Sequence, residues 1–313
     1  MERNYDVIVI GGGPGGMSAA LTLGRARLAT LVLNEETPRN AVSHASHGFY
    51  TRDGAAPSEL LAVAKAQMSK YPTVEYRVTR ATDVQSAEGG FEVTGSDGSV
   101  WCAPRVIVAT GYTDDLASLG IPGLLEVYGR SVFPCPFCDG FELADRRLAV
   151  FVSGMDAEMV GHYLSMIRVL SSSDTTVFTN GQTLDDSARA ALESRGIPLV
   201  EAAVEQLVSE DGVLREVRTR DGQVFERDAG FLGGNYTRPS SDVLSKLGVP
   251  SMKHPIGIEI FEADEGGATS VGGLYTVGDA RTGFGAIAGA VGQGARCAQG
   301  IVGQVAQERW SDD

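Results

Sequence analysis

The sequence predicts an α/β fold that contains two Rossmann-like units. Two stretches carry that reading. Each is an apolar strand, a small-residue turn and a helix, followed by a second strand, which is the order a parallel βαβ unit requires. A third observation is that short strands with glycine turns follow each unit, at 84–100 and again at 204–232. The chain therefore reads as a degenerate internal repeat of nucleotide-fold halves.

Taken in order, Tyr5-Asp6-Val7-Ile8-Val9-Ile10 is the first strand, and Gly16–Arg27, rich in Ala and Leu, is its helix. Thr30–Leu33 is a short buried strand. Val84–Val100 reads as small strands turning at Gly89-Gly90 and Asp97-Gly98. Arg105–Ala109 is a buried strand ending at Thr110-Gly111. The second unit starts at Leu148-Ala149-Val150-Phe151-Val152, turns at Ser153-Gly154, and continues as a helix from about Asp156 to Leu170 and a strand at Thr175–Thr179. Small strands recur at 204–232, with turns at Asp211-Gly212 and Asp221-Gly222. After Thr237 come a short helix, a strand at Leu274–Val277 and a last helix from about Gly285.

At 313 residues the chain is long enough for two domains with real cores. A net charge of −14 argues against a nucleic-acid partner, because no basic surplus exists to displace counterions. No basic stretch precedes an apolar one at the N-terminus, so no signal peptide is expected. The apolar, glycine-rich stretch from Gly285 to Val302 is interrupted by Gln293 and Arg296, which favours a buried helix over a membrane span. Four cysteines do not make a secreted disulfide scaffold, and a cytoplasmic location is expected.

Gly11-Gly12-Gly13-Pro14-Gly15-Gly16 satisfies G-x-G-x-x-G between a strand and a helix. Gly11 allows the tight turn, Gly13 lets a pyrophosphate approach the backbone, and Gly16 lets helix and strand pack closely. The helix N-terminus offers N–H groups and positive dipole to phosphates. An acid about 20 residues on should hold a ribose. The strand-end residue here is Asn34, followed by Glu35.

Phe133-Pro134-Cys135-Pro136-Phe137-Cys138-Asp139-Gly140 lies between the two units. Cysteines at C-x-x-C spacing form redox-active disulfides, and a dithiol beside nucleotide folds suggests electron transfer between a cofactor and a disulfide. The competing reading is half of a zinc site. Zinc usually needs four ligands, Cys102 and Cys297 are isolated in sequence, and no nearby His has ligand spacing, so no metal is expected.

Val106-Ile107-Val108-Ala109-Thr110-Gly111 is a strand entering a small-residue turn, and Thr276-Val277-Gly278-Asp279-Ala280 is a strand ending in Gly-Asp before a helix. With these motifs the chain resembles, over nearly its whole length, the flavoprotein disulfide reductases with two dinucleotide domains, specifically the low-molecular-weight thioredoxin reductase family. The resemblance implies two three-layer (ββα) nucleotide-binding domains, the second inserted in the first. The FAD domain is expected at 1–116 plus 237–313, and the inserted NAD(P)H-like domain carrying the C-x-x-C at 117–236. It implies FAD held by Gly11, Gly13, Pro14, Gly15 and Gly16, by Asn34, Glu35, Arg39 and Asn40, and by Asp83, Val84, Ala109, Thr110 and Gly111. Gly278 and Asp279 complete the set, with Asp279 on the ribityl chain. The family's Arg-Gln pair at the start of the last helix is absent, and backbone amides at Ala286 and Ile287 are expected to hold the flavin edge. By resemblance Cys138 faces the flavin, Cys135 attacks or releases the partner sulfur, and Asp139 shuttles the proton. A homodimer and a dithiol or disulfide substrate, either a small molecule or a thioredoxin-like protein, follow by the same route.

The second nucleotide motif departs from the family. It reads Val152-Ser153-Gly154-Met155-Asp156-Ala157, with Val152 at the first glycine position and Asp156 near the expected pyrophosphate. A β-branched residue forced into that tight turn would cost on the order of 1–3 kcal/mol. Thr179-Asn180-Gly181 replaces the basic cluster that reads a 2′-phosphate, and no Arg or Lys lies between Arg168 and Arg189. NADPH use is therefore doubtful, although a divergent site using other groups stays open. Some members of the family lack NADPH recognition, among them the dithiol oxidases of gliotoxin and holomycin type and the ferredoxin-dependent reductases. Pro38-Arg39-Asn40, His47-Gly48-Phe49 and Arg52-Asp53-Gly54 look like the oxidase side, whereas those oxidases carry His where this chain has Asp139. His44 and His47 could serve as acid–base groups or as plain loop residues. The expectation is oxidation of a dithiol with oxygen as acceptor. The alternatives are an NADPH-dependent thioredoxin reductase, a ferredoxin-dependent one, and a non-catalytic flavin redox sensor.

Overall fold

The computed structural model describes residues 5–254 and 257–312. Two five-stranded parallel sheets organise it. The first runs in the order Leu274–Thr276, Val106–Val108, Val7–Ile10, Thr30–Asn34, Val74–Val78. Its core follows from the period-2 alternation of the strands. Val7, Val9, Val32 and Ile107 face Met17, Ala20 and Leu23 of the first helix and Cys297, Ala298 and Ile301 of the last. Ile8, Ile10, Leu31, Leu33, Val106 and Val108 face the opposite side, against Val84, Phe91, Val93 and Trp101. Those partners belong to an antiparallel meander, Ala81–Ala87, Gly90–Gly95 and Val100–Ala103.

The second sheet repeats the plan in the order Leu199–Val200, Thr175–Phe178, Leu148–Ser153, Ala229–Gly234, Val132–Phe133. Leu148, Val150, Val152 and Val177 pack on Val160, Leu164 and Ile167 of the helix Ala157–Leu170. Ala149, Phe151 and Phe178 pack on Val204, Leu207, Leu214 and Val217 of the second meander. Each sheet is thus buried on both faces, as parallel strands must be. The 204–232 stretch is divided between layers. Its first three strands form the meander, while Ala229–Gly234 joins the parallel sheet beside Leu148–Ser153.

The chain passes between the two sheets twice, at adjacent positions. Tyr112–Asp114 pairs antiparallel with Thr237–Pro239, in the register Tyr112↔Pro239 and Asp114↔Thr237. This two-stranded strap is clamped by Arg39, whose guanidinium lies 2.7 Å from the Asp114 carboxylate, and by the Tyr128 hydroxyl, which donates to the same carboxylate at 2.6 Å.

The last helix, Ala286–Asp312, packs closely at Gly294. A Cβ added at Gly294 would lie 2.0 Å from the Gly15 carbonyl oxygen, so the helix can lean on the first glycine loop only without one. The two polar residues that interrupt its apolar run both find partners. Gln293 accepts the Gly278 N–H, and Arg296 pairs with Glu265. Among the described residues no helix is long and apolar enough to cross a membrane.

Candidate active site and the two nucleotide crevices

At the first crevice the strand stops at Ile10 and the chain turns at Gly11, whose φ is +102°. A Cβ there would meet the Ala109 carbonyl at 2.4 Å, and one at Gly16 would meet the Gly11 carbonyl at 2.0 Å. Both glycines are therefore obligatory for the backbone. Gly13 differs, because a Cβ on it would face open space. The helix Pro14–Arg25 begins with Pro at its first position, and its N-cap Gly13 makes no side-chain cap. The first-turn N–H groups are left uncapped by any side chain, in front of an open edge. These are the residues a pyrophosphate would use.

Around that edge, Gly111 and Gly278 both take positive φ, +62° and +78°, and bring the Ala109–Gly111 and Gly278-Asp279 turns beside the loop. The Gly278 N–H is pinned to Gln293 Oε1 at 2.9 Å, and Gln293 donates onward to Thr282 at 3.2 Å. Asp279 is largely buried. Burial pushes its carboxyl above the ordinary range, while Arg39 and the Gly285 N–H draw it back down. A buried carboxylate of this kind suits hydroxyl donors of a polyol chain. Ala286 holds a positive φ of +49° at the start of the last helix, beside Ile287. Asp83 and Val84 sit in the meander strand next to the first sheet. Val84 is buried in the core, so only its backbone can reach a ligand.

Other expected contacts are already engaged inside the protein. Arg39 holds Asp114, and its guanidinium lies 5.6 Å from the centre of the Phe284 ring. Asn40 lies in the 3-10 turn Arg39–Val42 and accepts the Ser43 N–H. Glu35 is exposed and paired with Arg80 at 3.2 Å. Asn34 covers Gly12 and donates to the Tyr76 hydroxyl at 2.8 Å. Tyr76 in turn donates to Glu36 at 3.0 Å, and Lys65 pairs with Glu36. Glu36, Tyr76 and Lys65 escaped the sequence reading. The signal was available, since Glu36 also lies at the distance from the glycine loop at which a ribose-binding acid is sought.

The second crevice is built differently. Its strand does not stop at the first motif position. Leu148–Ser153 runs on, pairing Val152 with Gly233 and Ser153 with Gly234. Val152 is a buried strand residue with no positive φ, so the strain expected at that position does not arise. The tight turn has been replaced by strand, and the reversal falls on Gly154, at φ +64°. The helix N-terminus beyond it carries a side-chain cap. Asp156 is the N-cap, and its Oδ1 accepts the Met159 N–H at 2.9 Å. The Gly154 N–H is taken by Gln182 Oε1 at 3.2 Å. At the end of the next strand, Asn180 donates to the Leu119 carbonyl and accepts the Val204 N–H, both at 2.9 Å, fixing the loop where a basic cluster was sought. Arg189, the first cation beyond, is paired with Glu201 at 3.0 Å.

Cys135 and Cys138 are joined as a disulfide, with Cα atoms 5.3 Å apart. Cys135 caps the short helix Pro136–Asp139, and its Sγ accepts the Cys138 N–H at 3.2 Å. An amide aimed at this sulfur favours its thiolate once the bond opens. Gly140 is required here, since a Cβ would strike the Pro136 carbonyl at 2.3 Å. Phe137 and Phe141 flank the turn and are strongly exposed. Asp139 is half-buried, and burial pushes its pKa up to about 6, with Glu142 raising it further and His47 opposing. His47 comes from the loop after the first nucleotide crevice. Its Nε2 lies 3.4 Å from Glu142, and its Nδ1 lies 3.7 Å from Asp53. His44 lies in the same loop. Among the described residues no group of three or more His, Cys, Asp or Glu side chains is arranged to hold a metal ion.

Residues 5–294 match the family described as pyridine nucleotide-disulphide oxidoreductase. The chain is 28% identical to thioredoxin reductase aclD of Aspergillus oryzae, over 96% of each chain. Among solved structures it resembles TrxB from Bacillus anthracis, with 32% identity, a TM-score of 0.89 and coverage of 97% and 99% of the two chains. It likewise resembles HlmI, with 33% identity, a TM-score of 0.88 and coverage of 100% and 96%.

Proposed function

The chain belongs to the pyridine nucleotide-disulphide oxidoreductase family, as a flavoprotein disulfide oxidoreductase of the thioredoxin reductase-like kind, and from that premise we propose that it runs in the oxidising direction, converting a dithiol substrate to a disulfide. One observation carries the direction. The first helix N-terminus is uncapped and open, whereas the second is capped by Asp156 and its turn amide is taken by Gln182. The first crevice fits FAD. In the second, Asp156 takes the Met159 N–H, Gln182 takes the Gly154 N–H, and Arg189, the first cation beyond the strand end, is paired with Glu201. Two or three missing charge-assisted contacts, each about 1.5–3 kcal/mol, weaken binding by several orders of magnitude.

In this reading residues 1–116 and 237–313 form the FAD domain and 117–236 the inserted one, joined by the strap. The chemistry a bound FAD supplies is two-electron acceptance, with molecular oxygen as final acceptor and hydrogen peroxide as product. Gly11, Gly13, Gly15 and Gly16 would hold the pyrophosphate, and Asp279 would hold the ribityl hydroxyls. Cys135 takes the attack of the substrate thiolate, Cys138 leaves as thiolate, and Asp139 manages the proton. The aromatic side chains of Phe137 and Phe141 offer the substrate an apolar approach to the sulfurs.

The test is anaerobic stopped-flow mixing of oxidised protein with NADPH and, separately, with dithiothreitol. The proposal expects flavin bleaching by the dithiol and slow or no bleaching by sub-millimolar NADPH. Bleaching by NADPH at hundreds per second would establish the reductase reading in its place.

A further inference from the structure

The backbone of the loop that carries His47 has its own bonds. Ser46 and Ala55 form a bridge, the Gly54 N–H donates to the Ser46 carbonyl, and Asp53 accepts the Gly48 N–H at 2.8 Å. The ring's Nδ1 lies 3.7 Å from Asp53 of the same loop, and its Nε2 reaches out to Glu142, which follows the dithiol helix and belongs to the other nucleotide unit. We propose that the contact of His47 with Glu142, three residues after Asp139, sets how readily the Asp139 carboxyl takes and returns the proton of thiol–disulfide exchange. His47 is thereby a positioning residue supplied to the dithiol from across the molecule. The inference rests on the dithiol chemistry proposed above.

The exchange needs such a group. The substrate thiolate attacks Cys135 Sγ, the Cys135–Cys138 bond breaks, and Cys138 leaves as thiolate. The second substrate thiol loses its proton to Asp139 and attacks its own first sulfur, releasing Cys135. Two substrate S–H bonds and one enzyme S–S bond become one substrate S–S bond and two enzyme S–H bonds. No other oxidant enters this step. A carboxyl that stays ionised far below neutral pH is a poor carrier for protons moving between thiols, because efficient transfer needs a pKa near the working pH. Three groups bear on Asp139 or on its neighbours. Burial and Glu142 favour its protonated form, His47 favours the ionised form, and Asp53 shares the other ring nitrogen of His47.

Opposite roles give opposite shifts. The rate of anaerobic flavin bleaching by dithiothreitol is measured against pH for the flavin-loaded full-length protein and its variants. The wild-type rate falls as pH drops through about 6, the value expected of Asp139. His47→Gln should move that limb up, and Glu142→Gln should move it down, each by about 0.5–1 in pH. The double variant should return it toward the wild-type position. Lost packing alone would slow the variants without moving the limb in opposite directions. Limbs that stay in place, or move the same way in both single variants, overturn the inference and leave the dithiol reading standing. Failure of the wild type to bleach at any pH overturns both.

Discussion

Asp139 is where the chemistry is most sensitive to a single atom. Its carboxyl titrates at about 6 because burial disfavours the charge and Glu142 adds a like charge nearby. As a base it works above that value and is lost below it. Asp139→Asn should slow dithiol-driven bleaching by about 10²–10⁴-fold and remove the acid limb from the pH profile, read by stopped-flow absorbance. Gly13 gives a second test. Its φ of −71° suits any residue and a Cβ meets no protein atom, so Gly13→Ala should fold normally. The methyl group would occupy the edge kept for pyrophosphate and weaken FAD binding by about 10- to 100-fold, measured by flavin retention on dialysis. Cys297 should be silent. It is fully buried and burial pushes its thiol up to about 12, so alkylation of the reduced native protein should mark Cys135 and Cys138 but leave Cys297 unmodified in peptide maps. The dithiol, the glycine loop and Asp279 were legible in sequence because each is a local pattern with its own backbone consequence. The His47–Glu142 contact was not, since it joins residues 95 positions apart through tertiary packing alone.

At the level of elements, the two nucleotide units differ at one strand end and one helix cap. The sequence placed the central parallel strands, because runs such as Val7–Ile10 and Leu148–Val152 are apolar on both faces, but missed the edge strands Val74–Val78, Val132–Phe133 and Leu199–Val200. It overlooked the helices Pro57–Met68 and Asp186–Glu193, whose exposed faces blur the apolar pattern. It also expected strain at the first glycine position of the second motif, where Val152 would be forced into a tight turn. The competing tendency that won is the β-preference of Val152, which extends the strand to Ser153 and moves the reversal to Gly154. The Asp156 cap has a measurable weight. Asp156→Ala should lower stability by about 1 kcal/mol in urea unfolding, as loss of an N-cap does. The same change should not create useful NADPH reduction, because Gln182 still takes the Gly154 N–H and Asn180, not a cation, stands at the strand end.

Across the whole molecule, the proposed function requires one unit to present the dithiol to the cofactor site of the other. The strap of Tyr112–Asp114 on Thr237–Pro239 is the covalent route between them, and Arg39 ties it to the first unit. The Asp114 side chain is 6% exposed and that of Arg39 is 19% exposed, so removing one partner strands a poorly solvated charge. Asp114→Ala should cost about 3–5 kcal/mol in unfolding free energy, more than Arg39→Ala with its half of the pair left to Tyr128. Arg39 was expected from sequence at the cofactor, and the structure adds this clamp, which no local motif could announce. The central claim concerns the direction of electron flow, and it is tested most directly by a single-turnover experiment on the flavin-loaded protein. Dithiothreitol is added anaerobically, mole for mole, and air is then admitted while flavin absorbance and peroxide are followed. The account predicts bleaching by the dithiol, recovery in air with peroxide formed mole for mole, and no bleaching in Cys138→Ser. A flavin that stays oxidised with dithiols yet bleaches rapidly with NADPH or reduced ferredoxin would contradict it.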